Sequence, residues 1–105
     1  MPEIVITQKD QGRMFEVNQG DLIMIRLAEN LTTGYGWELE ELDGPVLELL
    51  DSDYSEDRGE GMGRGGMRSF RFLAKSPGTQ HIQLGYRRPW EDAAVEHFDV
   101  DIKVR

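Results

Sequence analysis

The sequence predicts an all-β fold, an immunoglobulin-like antiparallel β-sandwich of about seven to eight strands. Apolar and polar residues alternate with period two in at least six segments, and clear turn signals separate them. The length, 105 residues, suits one domain whose core buries roughly two-thirds of the unfolded chain's surface. Residues 1–105 are accordingly read as a single domain.

The segments follow in order. Ile4 and Ile6 share a face, as do Ile23, Ile25 and Leu27, with Arg26 pointing the other way. Trp37 and Leu39 alternate with Glu38 and Glu40, and Trp37, which opens that strand, is assigned to the core. Residues 46–53 are ambiguous: Val46, Leu47, Leu49 and Leu50 suit a helical turn or a short buried strand, and strand is preferred. Phe70, Phe72 and Ala74 alternate with Arg71 and Arg68, and Ile82, Leu84 and Tyr86 with His81 and Gln83. In the last strand Phe98, Val100, Ile102 and Val104 alternate with His97, Asp99, Asp101 and Lys103. Turns are signalled at Asn18-Gln19-Gly20-Asp21, Asp43-Gly44-Pro45 and Ser76-Pro77-Gly78. Residues 55–66, rich in glycine and charge, read as a long loop, a feature that is uncommon in a compact domain and usually functional or mobile. The Cys…Trp…Cys spacing of antibody domains is absent, so the fold rests on strand count and spacing.

Composition removes several chemistries. With no cysteine there is no disulfide, zinc–thiolate site or cysteine nucleophile. A net charge of −8 repels phosphate backbones and anionic lipid, so neither nucleic acid nor a membrane surface is an expected partner. No apolar run approaches a membrane span, and Met1-Pro2-Glu3 lacks a basic-then-apolar signal. The expectation is a cytoplasmic chain, or a secreted or periplasmic one whose signal has been removed.

Three segments carry residues that a sandwich core cannot use: Asn30-Leu31-Thr32-Thr33-Gly34-Tyr35-Gly36-Trp37, Gly61-Met62-Gly63-Arg64-Gly65-Gly66 and Arg87-Arg88-Pro89-Trp90. Alternate loops of a sandwich emerge at one end, so these three are expected to form one contiguous edge. Trp90 follows proline in a charged loop and is read as an exposed binding anchor. The glycine segment matches the letters G-x-G-x-x-G, but a strand follows it, and that fingerprint needs a helix N-terminus for the pyrophosphate. Its single Arg64-Gly65-Gly66 in an acidic domain is a poor RNA-binding signal. Asn30-Leu31-Thr32 is formally a glycosylation sequon, which needs a secretory route this sequence does not signal. His81 and His97 fall on polar strand faces and make neither a metal pair nor an activated nucleophile, and the carboxylates are scattered. No catalytic residue, metal or cofactor is expected. The chain reads as a binding module.

At these residues the chain resembles the chagasin family of inhibitors of papain-like cysteine proteases. That family presents N-P-T-T-G-[YF], G-x-G-G and R-P-W loops. Here they correspond to Asn30-Leu31-Thr32-Thr33-Gly34-Tyr35, Gly63-Arg64-Gly65-Gly66 and Arg88-Pro89-Trp90, in the same order. The likeness continues through Gly20-Asp21-Leu22 and through the Gly78-Thr79 turn leading to Tyr86. It implies an immunoglobulin-like sandwich, monomeric, that plugs a protease cleft reversibly and is not an enzyme. The first loop would cover the enzyme's catalytic cysteine and histidine, with Thr32 nearest the cysteine, and the other two would flank it. Met62 is the nearest apolar side chain able to enter the main specificity pocket. Two positions depart from the pattern or vary within it. Leu31 replaces the motif's proline, an expected loss on the order of 0.4–1 kcal/mol unless neighbours hold the loop, and Arg64 occupies the variable position. The alternative reading is a non-inhibitory immunoglobulin-like module that keeps the loops for another protein partner.

Overall fold

Eight strands build two four-stranded sheets in the computed structural model, which describes residues 3–42, 44–56 and 65–105. In chain order they are β1 (Glu3–Thr7), β2 (Met14–Val17), β3 (Leu22–Asn30), β4 (Gly36–Glu41), β5 (Leu47–Glu56), β6 (Gly65–Ala74), β7 (Gly78–Arg87) and β8 (Glu96–Val104). One sheet runs β1-β3-β6-β5 and the other β2-β8-β7-β4. The alternation read from the sequence decides which face turns inward. Ile6, Ile23, Ile25, Leu27, Phe70 and Phe72 of the first sheet meet Ile82, Leu84, Phe98, Val100 and Ile102 of the second in one core. Trp37 is buried with them, as expected.

Residues 46–53 do form a strand, and the reason for their ambiguity is visible. The pairing of β5 with β6 shifts register between Leu49 and Asp51. One extra residue in a strand breaks period two, so the leucines cannot alternate cleanly. β2, a strand absent from the sequence reading, is only four residues long and turns Phe15 and Val17 inward. The sandwich is also not wholly antiparallel. β1 pairs parallel with β3, and β2 parallel with β8, because consecutive N-terminal strands join the edges of opposite sheets.

The loop read over 55–66 is shorter than expected among the described residues, since Ser55 and Glu56 close β5 while Gly65 and Gly66 open β6. Arg68 corrects the assignment to the polar face. It shares the parity of Phe70, so its side chain points toward the other sheet, at the end of the core. Register then gathers the strand ends that matter. Asn30 pairs with Gly65, Gly66 with both Glu29 and Glu56, and Gly36 with Arg87.

Phe72 lies between Ile23 and Leu49 in the middle of the first sheet and is fully buried. Phe72→Ala is expected to cost about 3–5 kcal/mol of stability, through lost burial and the cavity left behind. Urea unfolding, read at unchanged m-value, measures it.

Candidate functional site

The first loop leaves β3 at Asn30 and makes a 3-10 turn over Leu31–Thr33 before β4 begins. Its own polar side chains hold it. Asn30 Oδ1 accepts from the Thr32 amide at 3.0 Å and from the Thr32 hydroxyl at 2.7 Å. The Thr33 hydroxyl donates to the Asn30 carbonyl at 2.8 Å and accepts from the Tyr35 amide at 3.2 Å. These are the local bonds that Asn and Thr offer a turn in place of a ladder. They supply restraint that Leu31 does not. Gly34 has φ +84°, a left-handed conformation that favours glycine, and a Cβ there would also touch the Trp90 ring at 3.5 Å. Thr32, Thr33 and Gly34 are all exposed.

The third loop is a β-turn closed by the Glu91 amide donating to the Arg88 carbonyl at 3.0 Å. Pro89 takes the position whose φ such turns favour, and Trp90 follows it. The turn is braced from behind: Arg87 donates to the Glu91 carbonyl at 2.7 Å and to Glu38 Oε1 at 2.6 Å. Trp90 is 72% exposed, the most exposed large apolar residue described.

These two loops are one object. The Arg88 guanidinium lies 4.4 Å from the Tyr35 ring centroid and 5.8 Å from that of Trp90. Tyr35 stacks on Tyr86 at 5.4 Å, and Tyr86 packs on Trp37 at 4.8 Å. A chain of ring and cation contacts therefore runs from the buried Trp37 to the exposed Trp90. Each cation–π contact is worth about 0.5–1 kcal/mol at exposed sites, and together they order a ring that water would otherwise surround.

The second loop contributes less to the described structure. Met62, Gly63 and Arg64 lie outside the described residues. Gly65 and Gly66 are paired strand residues, and they are not equivalent. A Cβ at Gly65 would meet open space, whereas one at Gly66 would strike the Ser55 carbonyl and the Tyr54 phenol. The Tyr54 hydroxyl donates to the Glu29 carbonyl at 3.4 Å. Burial, with Glu56 and Glu29 nearby, holds this phenol's pKa above the usual tyrosine value, so it keeps its proton. The two histidines stand on the outer face of the second sheet, His81 against Asp101 at 2.7 Å and His97 against Glu40 at 3.5 Å.

Residues 16–102 match the family described as chagasin family peptidase inhibitor I42. The chain belongs to the chagasin family. It is similar to chagasin of Trypanosoma cruzi, with 30% identity over 104 residues that cover 93% of this chain and 94% of that one. The solved cysteine protease inhibitor EhICP2 of Entamoeba histolytica superposes with a TM-score of 0.90 at 27% identity, covering 100% of this chain and 97% of its own. PbICP-C, solved in complex with falcipain-2, shares the fold at a TM-score of 0.62 and 21% identity, covering 100% of this chain and 91% of its own.

Around the chagasin-family motifs stand supporting residues to which the sequence analysis gave no bracing role. Tyr86 and Arg87 support the first and third loops from β7, and Tyr54 covers Gly66 from β5. Glu29 and Arg68 meet behind the first loop, where the Glu29 side chain is fully buried. A signal for the last two was present: each falls on the apolar parity of its strand, and their charges are opposite.

Gly66→Ala is expected to destabilise the domain by about 1–3 kcal/mol, as overpacking against a backbone carbonyl and a ring does. Gly65→Ala, facing open space, should stay within about 0.5 kcal/mol of the parent. Paired thermal melts compare the two substitutions directly.

Proposed function

We infer that the protein is a reversible, competitive inhibitor of papain-like cysteine proteases, which plugs the active-site cleft with three loops at one end of its sandwich. The observation that carries this reading is the Trp37–Tyr86–Tyr35–Arg88–Trp90 contact chain. It makes the first and third loops of a chagasin-family chain one braced and exposed edge. Binding through such an edge loses little entropy, because the side chains are ordered beforehand.

Thr32, Thr33 and Gly34 form the tip that covers the enzyme's cysteine and histidine. Arg88, Pro89 and Trp90 and the glycine segment are assigned to flank it, Met62 being the nearest apolar side chain able to enter the main specificity pocket. The thiolate meets a hydroxyl and a tightly bonded turn where a substrate would present a scissile carbonyl at attack distance. No bond is made or broken. Asn30 and Tyr35 act from within the loop, the first by tying its turn and the second by carrying Arg88.

The direct test titrates papain with the protein while a fluorogenic peptide substrate is hydrolysed. Stoichiometric loss of activity, reversed by excess substrate, is the expected result. Unchanged hydrolysis across a panel of papain-like enzymes would leave a non-inhibitory binding module.

Trp90→Ala is expected to weaken inhibition by about 2 kcal/mol or more, roughly thirtyfold in the inhibition constant. Because the ring is so exposed, the unfolding midpoint should barely move. A large fall in that midpoint with unchanged inhibition would assign the ring a structural role instead.

Thr32→Arg places a bulky charge on the tip and should cost several kcal/mol in binding with the fold intact. The parent protein, incubated with excess papain, should be recovered at its full intact mass. Cleavage between Leu31 and Gly34, or a covalent adduct, would sink the wedge mechanism.

A further inference from the structure

Behind the first loop lies a carboxylate with no route to solvent. Glu29 closes the buried face of β3 after Ile23, Ile25 and Leu27, and its side chain is 0% exposed. Burying a charge there is expensive unless every lone pair is used. The structure supplies three donors, at least one to each oxygen. Glu29 Oε1 accepts from the Trp37 amide at 2.8 Å and from Arg68 Nε at 3.3 Å, while Oε2 accepts from Arg68 Nη2 at 2.9 Å.

The partners are informative because of where they sit in the chain. Glu29 immediately precedes the first loop and Trp37 immediately follows it. Arg68 stands just after the second loop, and Tyr54, which donates to the Glu29 carbonyl, stands just before it. One residue therefore touches both stems of both loops. It also lines two depressions of about 200 Å³ each, one bordered by Gly34, Tyr35 and Pro89, the other by Asn30, Gly65 and Gly66.

We propose that Glu29 is a positioning residue for inhibition: bound at once by Arg68 of β6 and by the Trp37 amide of β4, it holds the stem by which the first loop enters the second sheet against the stem by which the glycine segment enters the first. This inference rests on the inhibitory reading above. A single hydrogen bond leaves the Arg68 arm free to swivel, whereas two parallel bonds to one carboxylate fix its plane and distance. The Trp37 amide fixes the same carboxylate from the other sheet. Any drift of the pair thus moves one loop relative to the other, and an edge that must enter a cleft at two places tolerates little drift.

The test compares Glu29→Gln, Glu29→Gln/Arg68→Met and the parent protein against papain, measuring the inhibition constant, the dissociation rate and the unfolding midpoint. Glutamine still accepts from the Trp37 amide but turns a donor toward Arg68. Glu29→Gln should therefore raise the inhibition constant at least tenfold, chiefly through faster dissociation. The double variant leaves no unpaired buried charge, so its midpoint should return toward the parent while inhibition stays at least tenfold weaker. If Glu29→Gln does not fold, Glu29→Asp, charged but one methylene shorter, takes its place with the same expected loss.

Recovery of full inhibition together with stability in the double variant would overturn the proposal, since the pair would then only stabilise the fold. Loss in the double variant but not in the Glu29 single variant would also overturn it, by assigning direct enzyme contact to the partly exposed Arg68. Failure of the parent protein to inhibit at all would fall on the function itself, separately from this inference.

Discussion

Trp37 ties the two sheets together at the end where the loops emerge. It belongs to β4 of the second sheet, yet its indole donates to the Ala28 carbonyl of β3 at 2.9 Å, and its amide to Glu29 of the same strand at 2.8 Å. Its ring supports Tyr86, and through it Tyr35, Arg88 and Trp90. Were this ring smaller, the core would lose volume and the edge would lose its foundation in the same step. An aromatic residue with a polar tip suits this position, because one end can be buried while the other satisfies a backbone group.

The edge combines exposure with order, two properties that usually exclude each other. An exposed tryptophan gains nothing from burial in the free protein, so only neighbours can hold it. Here a proline presets the turn, an arginine lies beside the ring, and a second arginine binds the turn's carbonyl from behind. In the first loop the threonine hydroxyls and the Asn30 amide do comparable work. Rigidity of this kind lowers the entropy lost on association, which is where an inhibitor that makes no covalent bond gains its strength.

Charge is distributed with the same division of labour. The net charge of −8 is a property of the surface and serves solubility. The pair at Glu29 and Arg68 is another matter, because desolvation makes such a pair a weak source of stability. Geometry accounts better for its presence: a buried carboxylate with three donors has one acceptable arrangement, and the loop stems must conform to it. Gly66 belongs to the same arrangement, since only a residue without a Cβ lets Tyr54 lie across the start of β6.

Most of the architecture was legible in the chain because period-two alternation is a local property that needs no partner to be read. Ile23, Ile25 and Leu27 declare their face wherever the strand lies. The loop motifs were legible for the same reason, since Pro89 and Gly34 act through their own backbone angles. The bulge in β5 was hidden, because an extra residue becomes visible only against a partner strand. So was the parallel pairing of β1 and β2, which depends on which sheet each strand joins. The parity of Glu29 and Arg68 could be counted, yet residues thirty-nine positions apart meet only when β3 pairs with β6 and β4 closes over them. Sequence alone determined which residues could be core and which could form an edge. The tertiary structure decided that Asn30, Trp90 and the glycine strand would share that edge, because hydrogen-bonded register and the burial of one charge are relations between strands and belong to no segment by itself.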